Sequence, residues 1–176
     1  MLFRGLAASL FAFAVSAGAA NAQAPAASNP LDAIPEKMPF NVPYGAPITA
    51  EHAQSVIKAA EAEAAKKAWP LNIAVVDSGG NLVAFLRMDG AQLASITIAE
   101  HKARAAVKFR RPTKLFEDAL QLKDVKYITT LDDVIASRGG IPLVEAGKMI
   151  GAIGCSGGTG SQDLAVCEVG AAVINK

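Results

Sequence analysis

The chain has 176 residues, 52% of them hydrophobic, with 17 lysines and arginines against 16 aspartates and glutamates. That length is enough for one domain with a substantial apolar core. The nearly balanced charge, with no basic run interleaved with aromatic residues, excludes a general electrostatic binder of nucleic acid.

The first 22 residues have the pattern of a secretory signal peptide. Arg4 supplies the positive charge, residues 6–15 are apolar, and Ala20 and Ala22 form a small-x-small cleavage pattern. We therefore expect cleavage after Ala22 and a periplasmic or secreted protein. The apolar run is shorter than the roughly 20 residues of a membrane span, so we expect no membrane span. Because Arg4 lies in this segment, 16 basic residues remain against 16 acidic ones.

Residues 23–47 are rich in proline and alanine, which is typical of a linker or surface arm rather than a core element. Phe40, Val42 and Tyr44 could dock this arm onto the domain or onto a partner subunit. Residues 48–176 then form the folded domain.

The first elements of that domain are a helix and a hairpin. Apolar residues at helical spacing predict a helix over 50–68, with Thr49 as its N-cap and Pro70 after its end. Strands are predicted at 71–76 and 82–88, joined by a glycine-containing turn.

A second helix, over 93–109, is apolar on two sides. Its core stripe contains Ile96, Ala99, Ala103, Ala106 and Val107. Ile98, Ala105 and Phe109 lie on nearly the opposite side. A helix that is apolar on two faces is usually buried on both, so we expect the second face to contact another subunit of a homo-oligomer.

The second half of the domain repeats the pattern of helices and hairpins. We predict a helix over 112–122, a loop over 123–138, strands at 141–144 and 148–155, and a final helix from the Thr159 capping box to residue 175. Consecutive hairpins predict an antiparallel β-sheet flanked by α-helices, which is the α+β class.

Two glycine-punctuated blocks carry a family resemblance. The first is 75–91, and the second comprises 139–143 and 150–163. Together they resemble the GlcG/HbpS family of small haem-binding proteins or domains, some of which are fused to corrinoid adenosyltransferases. The resemblance covers residues 48–174 and implies a profilin-like or roadblock-like sandwich. This chain departs from the family pattern at Cys155 and at Leu164.

The loop before the final helix is the first candidate binding element. Ser156, Gly157 and Gly158 precede a helix N-terminus, where backbone N–H groups can hold a carboxylate, with Asp163 close by. No lysine follows the glycines, so it is not a Walker loop. A tight turn that needs glycine at positive φ would explain the same residues.

Four cations could neutralise the carboxylates of a ligand. They are Arg87, Lys102, Arg104 and Lys108. Arg87 at a strand end could form a forked pair with a carboxylate. Structural ion pairs with Asp77, Asp89 or Asp163 are the alternative.

Two histidines are candidate haem ligands, since imidazole is the usual axial ligand. His52 lies near the start of the first helix, and His101 lies on the polar side of the second, where a solvated surface residue is the simpler interpretation. Tyr127, Met88 and Cys155 are second-rank ligands.

The chain has two cysteines, Cys155 and Cys167. Neither lies in a Cys-x-x-Cys-His motif, so covalent haem attachment is not indicated. An oxidising compartment would permit a disulfide, but spacing alone does not show pairing. Cys155 could be a nucleophile only if it is unpaired.

The residues and the resemblance together favour an exported, oligomeric protein that binds haem reversibly and is not an enzyme. One alternative is an enzyme or binding protein for a small carboxylated or hydroxylated metabolite. It would use Asp77, Arg87, Lys102 and Asp163 around the 156–160 loop. A further alternative is an accessory protein that recruits a partner through the second apolar face of the 93–109 helix.

Overall fold

The computed structural model describes residues 34–122 and 125–175. From Lys37 onward they belong to one compact unit. The predicted signal peptide and residues 23–33 of the predicted arm lie outside the described residues, so these parts stay predictions. Within the described ranges, no helix has the length and apolarity needed to cross a membrane.

The predicted helices and strands occur in the predicted order, and a short 3-10 helix is added within the segment predicted as a loop, 123–138. The elements are α1 (Ala50–Lys66), β1 (Asn72–Asp77), β2 (Leu82–Arg87), α2 (Ser95–Lys108), α3 (Lys114–Ala119), a 3-10 turn (Lys126–Thr130), β3 (Gly140–Glu145), β4 (Lys148–Ser156) and α4 (Gly160–Ala171). The first helix begins as predicted, because the Thr49 hydroxyl accepts a hydrogen bond from the backbone N–H of His52. It ends before the predicted residue, because Ala68 adopts φ 54° and Trp69 precedes a proline.

The four strands form one antiparallel sheet in the order β2-β1-β4-β3. Helices α1 and α4 cover one face of the sheet, where they pack against Ile73 and Val75 of β1. Helix α2 covers the other face, where it packs against Ala74 and Val76 of β1. Since successive strand residues point to opposite faces, the continuous apolar run of β1 is explained by burial on both sides. The predicted α+β class, a sheet flanked by helices, is confirmed.

Glycines in β3 and β4 allow α2 to approach the sheet closely. A Cβ on Gly154 would lie 2.1 Å from the Ala99 carbonyl oxygen, and one on Gly140 would lie 2.3 Å from that of Lys102. Either contact is far shorter than van der Waals distance, so a side chain at either position would push the helix away. This close approach brings Lys102 of α2 into the protein interior.

The second apolar face of α2 is partly covered by the chain itself. Ala105 is fully buried, and Phe109 packs edge-on against Phe116 of α3 at 5.1 Å between ring centroids. Phe109 and Ile98 keep part of their surface exposed. The predicted contact of this face with another subunit stays a prediction, and so do the homo-oligomer and the partner-recruiting alternative.

Residues 40–45 of the proline-rich arm dock onto the domain that follows. Tyr44 bridges to Met149 of β4 in parallel, and its hydroxyl donates to the Val107 and Lys108 carbonyls at 3.1 and 3.0 Å. The Arg111 guanidinium lies 3.8 Å from the centre of the Phe40 ring. The arm thus extends along β4 beyond the end of β1.

Candidate functional site

A buried ion pair joins α2 to α4. Lys102 Nζ donates to Asp163 Oδ2 at 2.7 Å and to the Cys155 carbonyl at 3.1 Å. The two side chains are only 1% and 4% exposed. The structural interpretation of Lys102 therefore holds, with Asp163 as its partner. Its use as a cation for a ligand stays a prediction, but in this fold the charge already faces a carboxylate of the chain.

The glycine-rich loop before α4 holds side chains of its own helix. The N–H of Gly158 donates to Asp163 Oδ1 at 3.0 Å, and the N–H of Thr159 donates to Gln162 Oε1 at 2.8 Å. Gln162 N–H donates in return to the Thr159 hydroxyl, which completes the predicted capping box. These donors are therefore engaged within the chain, and the carboxylate that the loop holds is that of Asp163.

Ser156 and Gly157 precede the Gly158 and Thr159 donors, at the start of the tight turn between β4 and α4. Gly157 adopts φ 149°, and a Cβ there would lie 2.8 Å from the Pro70 carbonyl oxygen. Glycine is therefore required by conformation and by space, as the tight-turn interpretation predicts. Ser156 is buried, with 4% of its surface exposed.

The two cysteines form a disulfide between β4 and α4. Cys155 and Cys167 are fully buried, and their Cα atoms lie 5.8 Å apart. A disulfide sulfur is no thiolate, so the interpretations of Cys155 as a haem ligand and as a nucleophile are both wrong.

The four groups expected around a metabolite do not converge. Arg87 is exposed beside a cavity of about 400 Å³ that Glu61 and Asp89 also line. Asp77 lies at the other end of β1 from Asn72, the register partner of Arg87, and a strand of that length spans roughly 17 Å. The structure therefore does not bring the four groups of the metabolite alternative into a single carboxylate-binding centre. These groups are Asp77, Arg87, Lys102 and Asp163.

Asp77 has a local role in the turn between β1 and β2. Its Oδ1 accepts hydrogen bonds from the N–H groups of Gly79 and Asn81 at 2.8 and 2.9 Å. Partial burial raises the pKa of Asp77, but the hydrogen bonds from Asn81 and Gly79 outweigh it and leave the pKa below its ordinary value. The carboxylate thus stabilises the hairpin turn.

His101 precedes two cations of α2 that already have partners. It is half-buried. Arg104 pairs with Glu100 at 3.2 Å, and Lys108 pairs with Asp133 at 2.6 Å. Among the second-rank ligands, Met88 accepts a hydrogen bond from the Leu71 N–H through its sulfur, and Tyr127 is 54% exposed.

His52 has a different setting. It lies exposed in the first turn of α1 and lines a cavity of about 340 Å³. The other lining residues are Ser55 of α1, Val144, Glu145 and Ala146 at the β3–β4 turn, and Val173 and Ile174 after α4. The sequence pattern did not single out this wall, because its parts are far apart in the chain and meet only when α1 packs beside α4.

A comparison with known protein families shows to which family the chain belongs. The family described as "Haem degrading protein HbpS-like" matches residues 48–172, well over half of the chain. The chain belongs to the HbpS-like family. The predicted resemblance to GlcG and HbpS is thereby confirmed.

Named relatives support this HbpS-like assignment. Protein GlcG of Escherichia coli K12 is 38% identical over 109 residues, which cover 62% of this chain and 81% of GlcG. A crystal structure of a Streptomyces reticuli HbpS double mutant is 28% identical, with a TM-score of 0.69, and covers 86% of this chain and 100% of that one. A crystal structure of a PduOC–haem complex is 27% identical, with a TM-score of 0.66, and covers 73% and 96%.

The two residues expected to depart from the family pattern, Cys155 and Leu164, lie beside α4 and on it. Cys155 occupies a β4 position from which it is bonded to α4. Leu164 follows Asp163, which is the acidic residue in the first turn of this helix. Asp163 is committed to Lys102 and Gly158, so this helix start provides an internal anchor rather than a free carboxylate.

Proposed function

We propose that this chain is an exported protein that binds haem reversibly at the cavity lined by His52. One observation carries the proposal: an exposed imidazole stands at a cavity whose wall also includes four aliphatic residues. Two comparisons support the choice of ligand, since one relative is known as a complex with haem and the family description names haem.

The residues of the cavity fit the two requirements of a haem site. Neutral imidazole is the commonest protein ligand of haem iron, and His52 is accessible. Val144, Ala146, Val173 and Ile174 offer apolar surface against which a macrocycle can be buried. Bound haem would supply a redox-active iron with strong visible absorption. The residues of this chain would bind it, orient it and exclude water from one of its faces.

The carboxylates of the haem would have to point away from Glu145, which lies in the same wall. Lys148 is the register partner of Glu145 across the β3–β4 turn and is exposed. We infer that Lys148 is the cation nearest to such carboxylates. The cations predicted from the sequence, Arg87, Lys102, Arg104 and Lys108, are not among the residues that line this cavity.

Export is part of the proposal and has two supports. One is the predicted signal peptide, cleaved after Ala22. The other is the Cys155–Cys167 disulfide, because disulfides persist mainly in oxidising compartments such as the periplasm or the extracellular space. Scavenging, buffering and sensing of haem are all compatible with such a location.

A titration of the mature chain, Gln23 to Lys176, with hemin tests the site. We expect a saturable, stoichiometric shift of the Soret band. His52→Ala should abolish this shift, and His101→Ala, the matched control on α2, should retain it. The proposed site would be wrong if His52→Ala bound hemin like the parent, and haem binding would be wrong if the parent shifted no more than an unrelated protein.

A variant of the wall separates ligation from burial. Val173→Asn keeps the imidazole but places a polar amide against the macrocycle. We expect weaker hemin binding with the Soret position of the complex unchanged, because the axial ligand is retained. An unaltered affinity for hemin would show that the macrocycle does not pack against this wall.

A further inference from the structure

Two buried side chains at the junction of β1 and α2 carry oxygen atoms without a partner. Asn72, the first residue of β1, and Ser95, the first residue of α2, are both fully buried. Within the described part of the chain, neither Asn72 Oδ1 nor Ser95 Oγ has a hydrogen-bond partner. A buried polar atom left unpaired costs more than an ordinary hydrogen bond contributes, so folded proteins rarely leave one.

A shared acceptor holds the two side chains close to each other. The Gln92 carbonyl oxygen accepts from Asn72 Nδ2 at 3.1 Å and from the Ser95 N–H at 3.2 Å. The carboxamide of Asn72 and the backbone nitrogen of Ser95 are therefore no farther apart than two hydrogen-bond lengths. The two residues that carry the unpaired oxygens thus converge on one carbonyl oxygen.

A third polar residue lies beside them in the sheet. Asn72 is in register with Ser156 of β4, which is also buried. Residues in register on adjacent antiparallel strands project from the same face. The Ser156 hydroxyl is therefore available as a further partner, which brings the group to the two to four partners that an internal water usually has.

We propose that one internal water molecule bridges Asn72 Oδ1 and Ser95 Oγ. The asparagine oxygen only accepts, so its partner must donate, and a serine hydroxyl can donate or accept. Water meets both requirements, because it can donate to one oxygen and donate to or accept from the other. The bridge joins the sheet to the start of α2 and thereby fixes the loop that carries Gln92. This inference is independent of the proposed haem site.

A crystal structure of the mature chain at atomic resolution tests the water directly. We expect an ordered density peak within hydrogen-bond distance of both Asn72 Oδ1 and Ser95 Oγ. A dry junction would overturn the proposal. So would a rotamer in which either oxygen pairs with a protein group.

Stability measurements test the same bridge in solution. Ser95→Ala should raise the unfolding equilibrium constant about tenfold, because the water loses one partner. Ser55→Ala is the matched control, since that hydroxyl is exposed and donates to the Glu51 carbonyl within α1. If Ser95→Ala were neutral or stabilising, the hydroxyl would have been a dry, unpaired group and the proposal would be wrong.

Discussion

Opposite ends of β4 hold two polar regions with different properties. At the Ser156 end, Lys102, Asp163 and the 156–160 loop are paired with one another inside the protein. Near the Lys148 end, His52 is exposed at a cavity whose wall contains both aliphatic and polar residues. The two ends of this strand are roughly 27 Å apart, so they act as separate regions.

The difference shows that a concentration of polar residues and glycines does not by itself mark a binding site. In the 156–160 loop, the Gly158 N–H donates to Asp163 and the Thr159 N–H donates to Gln162. The pair of Asp163 with Lys102 ties α4 to α2. In the region proposed to bind a ligand, the imidazole is exposed. We therefore expect the first region to stabilise the fold, and we propose the second as the binding region.

The largest expected effect is on the buried ion pair. Asp163→Ala leaves the Lys102 ammonium buried without its carboxylate and removes the acceptor of the Gly158 N–H. Removal of one partner of a buried pair typically costs about 3–5 kcal/mol. We expect a loss of that size in the free energy of unfolding, measured by urea denaturation.

An exposed carboxylate on the same helix provides the control for that substitution. Glu168→Ala should change the free energy of unfolding by less than about 0.5 kcal/mol. Replacing both partners, as in Lys102→Met with Asp163→Leu, should restore part of the loss, because no charge is then left unpaired. Equal losses for Asp163→Ala and Glu168→Ala would contradict the stabilising role of the pair.

The disulfide gives the next largest effect. It closes a loop with a sequence separation of 12, for which chain entropy predicts about 3 kcal/mol of stabilisation. The reduced chain should therefore unfold at lower denaturant than the oxidised chain, by that free energy. A Cys155→Ala/Cys167→Ala variant should show no response to reductant. A parent protein equally stable in both redox states would show that β4 and α4 are held together without the bond.

Much of the fold was predictable because its local signals agree. The 50–68 pattern, the hairpin turns and the Thr159 capping box each gave an element close to the observed one. The prediction differs from the structure where contacts between distant parts of the chain determine the packing. The sequence of helix α2 does not show that the chain after it folds back to place Phe116 on Phe109.

The candidate site was predictable only in part. The prediction named His52, but Val144 and Val173 are ordinary apolar residues with no local signal, and only the packing of α1 beside α4 brings them together. The predicted cations failed for a similar reason. Lys102 could be assigned to a ligand or to Asp163, and the choice depends on the close approach of α2 to Gly139 and Gly140.

Acid should lower the stability of the fold by protonating two carboxylates, Glu117 and Asp77, that lie outside the two polar regions at the ends of β4. Hydrogen bonds from Arg138 lower the pKa of Glu117 below its ordinary 4.5, against a smaller opposing effect of burial. The pKa of Asp77 is lowered below its ordinary 3.8. A carboxyl group with a lowered folded pKa adds stability above its unfolded pKa and loses it as pH falls through the folded value.

The melting temperature should therefore fall as pH drops below these ordinary values. Glu117→Gln should lower stability modestly at neutral pH, because the pair with Arg138 is partly exposed, and it should flatten the acid dependence. Glu168→Gln again serves as the control. An acid dependence in Glu117→Gln as steep as in the parent would show that the pair with Arg138 does not contribute to it.

The smallest effect on stability, and the sharpest test of the comparison, comes from His52→Ala. Because His52 is exposed, its loss should change the free energy of unfolding by no more than about 0.5 kcal/mol. The same variant should lose the saturable hemin shift. Asp163→Ala, wherever it remains folded, should retain that shift at reduced stability. If instead His52→Ala were as destabilised as Asp163→Ala, or Asp163→Ala lost hemin while folded, the two ends of β4 would not divide stability from binding.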